Sequence, residues 1–154
     1  MIEIIFTNRP VSWRPMSWVN AITRMKTRSP FDHVTIKYGL TIYESAAPGG
    51  VRKENFVSWA EKRKGSFLTI YEIPRFMVDF NVFDDLKGKK YDYPANVYFL
   101  FGLTKMLKKR KNKRIYCSEL VGKMLHYPDA HELTPDELWE RLRRYKCRVE
   151  KIKE

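Results

Sequence analysis

An α+β fold, in which an antiparallel sheet packs against helices, is predicted by three features of the sequence. Strand-like runs rich in β-branched and aromatic residues recur at Ile2–Thr7, His33–Tyr38, Leu40–Ser45, Phe67–Ile73 and Tyr145–Ile152. Gly39 stands between the second and third of these, and a turn that tight makes them an antiparallel hairpin. The runs are interleaved with stretches whose apolar residues fall at helical spacing, such as Leu120, Val121, Met124 and Leu125.

In chain order, the strand Ile2–Thr7 leads through Arg9-Pro10 and Arg14-Pro15 to Ser17, which can cap a helix over Trp18–Lys26 with Trp18, Ala21, Ile22 and Met25 on one stripe. The loop Thr27–Asp32 delivers His33 to the hairpin. Pro48-Gly49-Gly50-Val51-Arg52 reads as a turn, Asn55–Lys62 as a short helix with Phe56 and Trp59 on one side, and Pro74 ends the strand Phe67–Ile73. A helix is expected over Asp79–Leu86, closed by Lys87-Gly88, and a second, more apolar one over Ala95–Leu107. After the helix that begins near Cys117, Thr134 as N-cap, Pro135 at the first helical position and Glu137 as the capping-box partner start another.

A chain of 154 residues, 44% hydrophobic and 14% aromatic, suits one folded domain spanning 1–154 and argues against disorder. It has no uninterrupted apolar stretch of transmembrane length. Met1–Phe6 reads as a strand rather than a signal peptide, so a cytoplasmic location is expected, with which a bacterial or phage-encoded protein would be compatible. The 2 cysteines cannot form a disulfide framework, and both are read as free thiols.

Cys117 sits where the run Arg114-Ile115-Tyr116 gives way to helical spacing, at or near a helix N-terminus. Unpaired backbone N–H groups and the positive end of the helix dipole favour a thiolate there. Of the 3 histidines, His126 and His131 lie in a polar segment after that helix, which leaves His33, at the head of a strand, as the candidate base. Glu44, on the other arm of the hairpin, is the acid nearest His33 in register; a carboxylate accepting the imidazole N–H would fix its tautomer. Taken alone the cysteine and histidine are weak evidence, and a buried structural cysteine with an unrelated histidine accounts for them. The 2 cysteines and 3 histidines form no ligand-spaced cluster, so neither a metal nor another cofactor is expected.

The net charge of +12 invites a rival interpretation, with Lys105–Arg114 as its most concentrated basic run. Such a run can bind nucleic acid or another anionic polymer, or can be a solvated loop. No helix-turn-helix, zinc finger or RNP-type aromatic motif accompanies it.

The order of motifs weighs on the site. A His-headed strand (DHVTI), an acid-bearing strand (IYESA), a GVR turn, a GKKYDY segment, YCSELV and an LTPDEL helix together resemble the circularly permuted papain-like NlpC/P60 cysteine hydrolases, in particular the YiiX/YebB-like group. The resemblance covers nearly the whole chain and accounts for the histidine preceding the cysteine. It implies a papain-like fold with Cys117 as nucleophile, His33 as base and Glu44 as the orienting third residue. Tyr91 would lie beside the nucleophile and help polarise the substrate carbonyl, or else simply pack in the core. The activity implied is hydrolysis or transfer at an amide, ester or thioester of a peptide, lipid or other acyl substrate. The alternative is a basic binding module that makes no use of the chemistry.

Overall fold

The computed structural model describes residues 1–8, 30–92 and 114–153. Among these, β1 (Ile2–Asn8), β2 (His33–Tyr38), β3 (Thr41–Ala46), β4 (Gly50–Asn55), β5 (Phe67–Ile73) and an eighth strand, Lys146–Lys151 (β8), form one antiparallel sheet. Its strand order is β4-β3-β2-β1-β5-β8. Two short strands, β6 (Lys90–Tyr91) and β7 (Arg114–Ile115), pair in parallel beside it. The helices are α1 (Phe56–Glu61), α2 (Phe80–Leu86), α3 (Cys117–Met124) and α4 (Pro135–Leu142), so the molecule is of mixed α+β architecture. No helix among the described residues is long and apolar enough to cross a membrane. The helices expected at Trp18–Lys26 and Ala95–Leu107 lie outside the described residues, as does nearly all of the basic run, up to Lys113.

β1 lies inside the sheet and is covered on both faces, which is why Ile4, Ile5 and Phe6 are all buried and the strand does not alternate. On one face, Ile4, Phe6, Val34 and Ile36 meet Leu120, Val121 and Met124 of α3, with Phe83 of α2 and Leu138 of α4 in the same cluster. On the other, Ile5, Ile42, Leu68 and Ile70 pack against Trp59 of α1. Each such side chain removed fully from water stabilises the fold by about 1.5–3 kcal/mol.

Local chemistry sets the helix starts. Asn55 caps α1 by accepting from the Val57 N–H at 2.9 Å, and Asp79 caps α2 from Asn81 at the same distance. Thr134 and Glu137 form the expected capping box at α4, with Pro135 in the first turn. One expectation is corrected. The segment Pro48–Arg52 is not wholly a turn: the chain reverses by Gly49 and enters β4 at Gly50, pairing Ala46 with Gly50 through to Thr41 with Asn55. β4 is a terminal strand of the sheet with Val51 as its only buried apolar side chain, so it lacks the alternation that marks a strand.

Candidate active site

Backbone pairing between β2 and β3 runs from Tyr38–Thr41 to Ile36–Tyr43 and stops there. Beyond that point the Thr35 hydroxyl takes the Tyr43 carbonyl at 2.7 Å, and side chains replace the ladder as the link between the strands. His33, the first residue of β2, and Glu44 of β3 meet in this opening, with His33 Nε2 2.9 Å from Glu44 Oε2. The Cys117 side chain is close enough to interact with the ring as well, and this interaction helps raise the His33 pKa. Since Nε2 faces Glu44, Nδ1 is the nitrogen left for sulfur. Cys117 belongs to the cluster under α3, whereas Glu44 sits beside Trp59 on the opposite side of the sheet. His33, at the strand's end, reaches both.

Cys117 is the first residue of α3, following the N-cap Tyr116 at φ −98, ψ 172. The Tyr116 hydroxyl is used elsewhere, donating to the His131 carbonyl at 2.6 Å, and the first-turn N–H groups are directed toward the end where the thiol sits. Two hydroxyls pin this junction: Ser45 donates to the Ile115 carbonyl and Ser118 to the Leu133 carbonyl, each at 2.6 Å. Ser118 thus anchors α3 to the segment that leads into α4. Glu119, also buried, pairs with Lys123 at 3.1 Å. Burial pushes its carboxyl above the ordinary value and nearby Asp92 adds to this, against the opposing pull of Lys123. Tyr91 is half-buried in β6, paired in register with Ile115, two residues before Cys117.

Glu44 is 0% exposed, yet it is the most heavily hydrogen-bonded carboxylate described. Oε2 accepts from His33, from Trp59 Nε1 at 3.0 Å and from Arg63 Nη2 at 3.0 Å. Oε1 accepts from Arg52 through Nε at 3.2 Å and Nη2 at 2.8 Å. Burial alone would raise the pKa of Glu44; the hydrogen bond and charge of His33, helped by Arg63 and Trp59, hold it instead well below the carboxylate range. An ionised carboxylate only accepts, so a neutral His33 carries its proton on Nε2 and presents a bare Nδ1 to the thiol. Burial disfavours charge on His33, but its interactions with Cys117 and Glu44 outweigh this and raise its pKa above the ordinary 6.5. The arrangement can therefore pass a proton from sulfur to Nδ1 while Glu44 holds the ring.

Arg52, Trp59 and Arg63 are the members of this cluster that sequence reasoning did not single out as functional. Arg63 lies just beyond α1, where its guanidinium stacks over the Trp59 indole at 4.2 Å, and nothing in the sequence distinguishes it from the neighbouring Lys62 and Lys64. The remaining histidines take no part: His126 pairs with Asp79 at 3.4 Å and His131 with Glu132 at 3.1 Å. Cys147 is exposed on β8, a terminal strand of the sheet, whereas Cys117 is buried, and both are free thiols. A comparison of the chain with models of known protein families, with curated proteins and with solved structures finds no match.

Proposed function

We propose that this protein is a thiol hydrolase or acyltransferase built as a circularly permuted papain-like domain of the NlpC/P60 kind, acting on an amide, ester or thioester. The observation that carries the reading is the engagement of His33 by the Cys117 side chain and by the ionised Glu44, at the first residue of a helix. Cys117 loses its proton to His33 Nδ1 and attacks the acyl carbon. The Cys117 backbone N–H, at the positive end of α3, receives the developing oxyanion, with Tyr91 as the candidate side-chain donor. His33 returns the proton to the leaving group, and water or an acceptor nucleophile, deprotonated by His33, releases the acyl group from sulfur. Glu44 keeps the ring oriented throughout and stabilises the imidazolium.

The site is tested by acylation with a small activated ester. Cys117 is only 5% exposed, so p-nitrophenyl acetate suits it better than a bulky label. Acetyl transfer is expected at Cys117 faster than at the exposed Cys147, read from the masses of the labelled peptides. His33→Ala should slow acetylation of Cys117 by about 100-fold or more. Cys117 acetylation no faster than that of Cys147, or unaffected by His33→Ala, would overturn the proposal.

A further inference from the structure

We infer that Arg52 and Arg63 are positioning residues for the His33–Cys117 pair: by saturating both oxygens of Glu44 with guanidinium donors, they fix one orientation of the imidazole and limit its basicity. The inference rests on the thiol-hydrolase reading for its purpose, and on the geometry around Glu44 for its substance.

A carboxylate offers about four lone-pair sites. Glu44 accepts five hydrogen bonds, four of them from Arg52, Trp59 and Arg63, so its acceptor capacity is fully used and His33 shares a crowded Oε2 with Trp59 and Arg63. The two arginines are built in differently. Arg63 has its side chain 4% exposed, stacks on Trp59 and donates to the Trp59 carbonyl at 3.3 Å, so it fixes Glu44 from inside the second core. Arg52 is 34% exposed and donates to the Pro48 carbonyl at 2.5 Å as well as to Glu44, closing the cluster on the solvent side. Behind His33 the charge of Glu44 is offset by two arginines, Arg52 being shared with Glu54 at 3.9 Å. Their positive charge opposes the protonation of the ring that Glu44 favours. A base that must both take a proton from sulfur and give it to a leaving group works best with a moderate affinity for it.

The charged and titratable groups facing His33 are Cys117 from α3 and Glu44 from β3, with Arg52 of β4 and Arg63 after α1 behind the carboxylate. Its chain neighbour Asp32 accepts from the Thr7 hydroxyl at 2.9 Å.

The test is a pH titration of the His33 ring by nitrogen NMR, which reports both midpoint and tautomer without requiring a substrate. Arg52→Gln is the primary variant, since a half-exposed side chain can be replaced without emptying the core. Removing its charge and admitting water both favour the imidazolium, so the His33 midpoint is expected to rise by about half to one pH unit. Arg63→Lys keeps the charge and can keep the single donor to Oε2; with Glu44 still ionised, it is expected to leave both the midpoint and the Nε2–H tautomer near those of the wild type. An unchanged midpoint in Arg52→Gln, or a midpoint in the charge-conserving Arg63→Lys that rises as far as in Arg52→Gln, would overturn the inference. If the titration behaves as expected but Cys117 fails to acetylate, the hydrolase reading falls alone. If Cys117 acetylates and the titration does not shift, only the positioning role falls.

Discussion

Glu44 is the residue on which most of the site's energetics turn. Glu44→Gln leaves Arg63 buried without its anion, and breaking a buried pair by removing one partner costs about 3–5 kcal/mol. The expected outcome is a correspondingly lower urea midpoint. The same residue shapes the pH dependence of stability. Glu44, with a pKa lowered in the fold, contributes fully above its ordinary 4.5, and the contribution is lost as pH falls through the folded value. His33, with a raised pKa, contributes fully below its ordinary 6.5 and loses this as pH rises through the folded value. Both are complete between pH 4.5 and 6.5. Urea denaturation across pH should show the pair's stabilisation greatest in that window, and Glu44→Gln should flatten the dependence on both sides. The sequence made Glu44 legible because it is the sole acid in the otherwise uncharged run TIYESA. It did not make Arg63 legible: amid Glu61-Lys62-Arg63-Lys64 nothing marks which cation turns inward.

At the scale of elements, the approach of β4 to the chain before β6 sets where Cys117 stands. The Val51 N–H donates to the Lys89 carbonyl at 2.9 Å, Gly88 returns a bond to Val51, and β6 passes the register to β7, which runs into α3. This works because Gly50 has no side chain: a Cβ there would lie 2.0 Å from the Lys89 carbonyl oxygen, at a φ of +73. Gly39, at φ +58, has open space instead. Gly39→Ala should cost about 1–2 kcal/mol for its backbone alone, and Gly50→Ala about 1–3 kcal/mol more for the collision, compared by thermal melts of the two variants. The hairpin of β2 and β3 was readable from Gly39 and its flanking runs, and the α4 start from its capping box. β4 was not, because a Pro-Gly-Gly start and alternating charges look the same in a turn and in a strand at a sheet's end.

At the scale of the whole molecule, the net charge of +12 is the feature that the site does not explain. If it serves solubility or substrate attraction, association with duplex nucleic acid should be weak and disappear at physiological salt. Tight binding that falls steeply with salt, and drops when Lys108, Lys109, Arg110 and Lys111 are neutralised, would make anion binding the function instead. Fluorescence anisotropy over a salt series distinguishes the two. Composition carried this question but could not answer it, since a charge count is the same whether the cations face a ligand or water.

The position of β1 has a consequence for how the chain is made. Its neighbours in the sheet are β2 and β5, and β5 ends at Ile73. On a ribosome, Ile2, Ile4, Ile5 and Phe6 therefore emerge well before the strand that will cover their second edge. Through that interval a strand whose apolar side chains are all fully buried in the finished fold lacks one of its two partners, and distant pairings of this kind close slowly. A nascent chain stalled before Ile73 would thus offer chaperones, or other copies of itself, an unpaired hydrophobic edge that the finished molecule conceals at its centre.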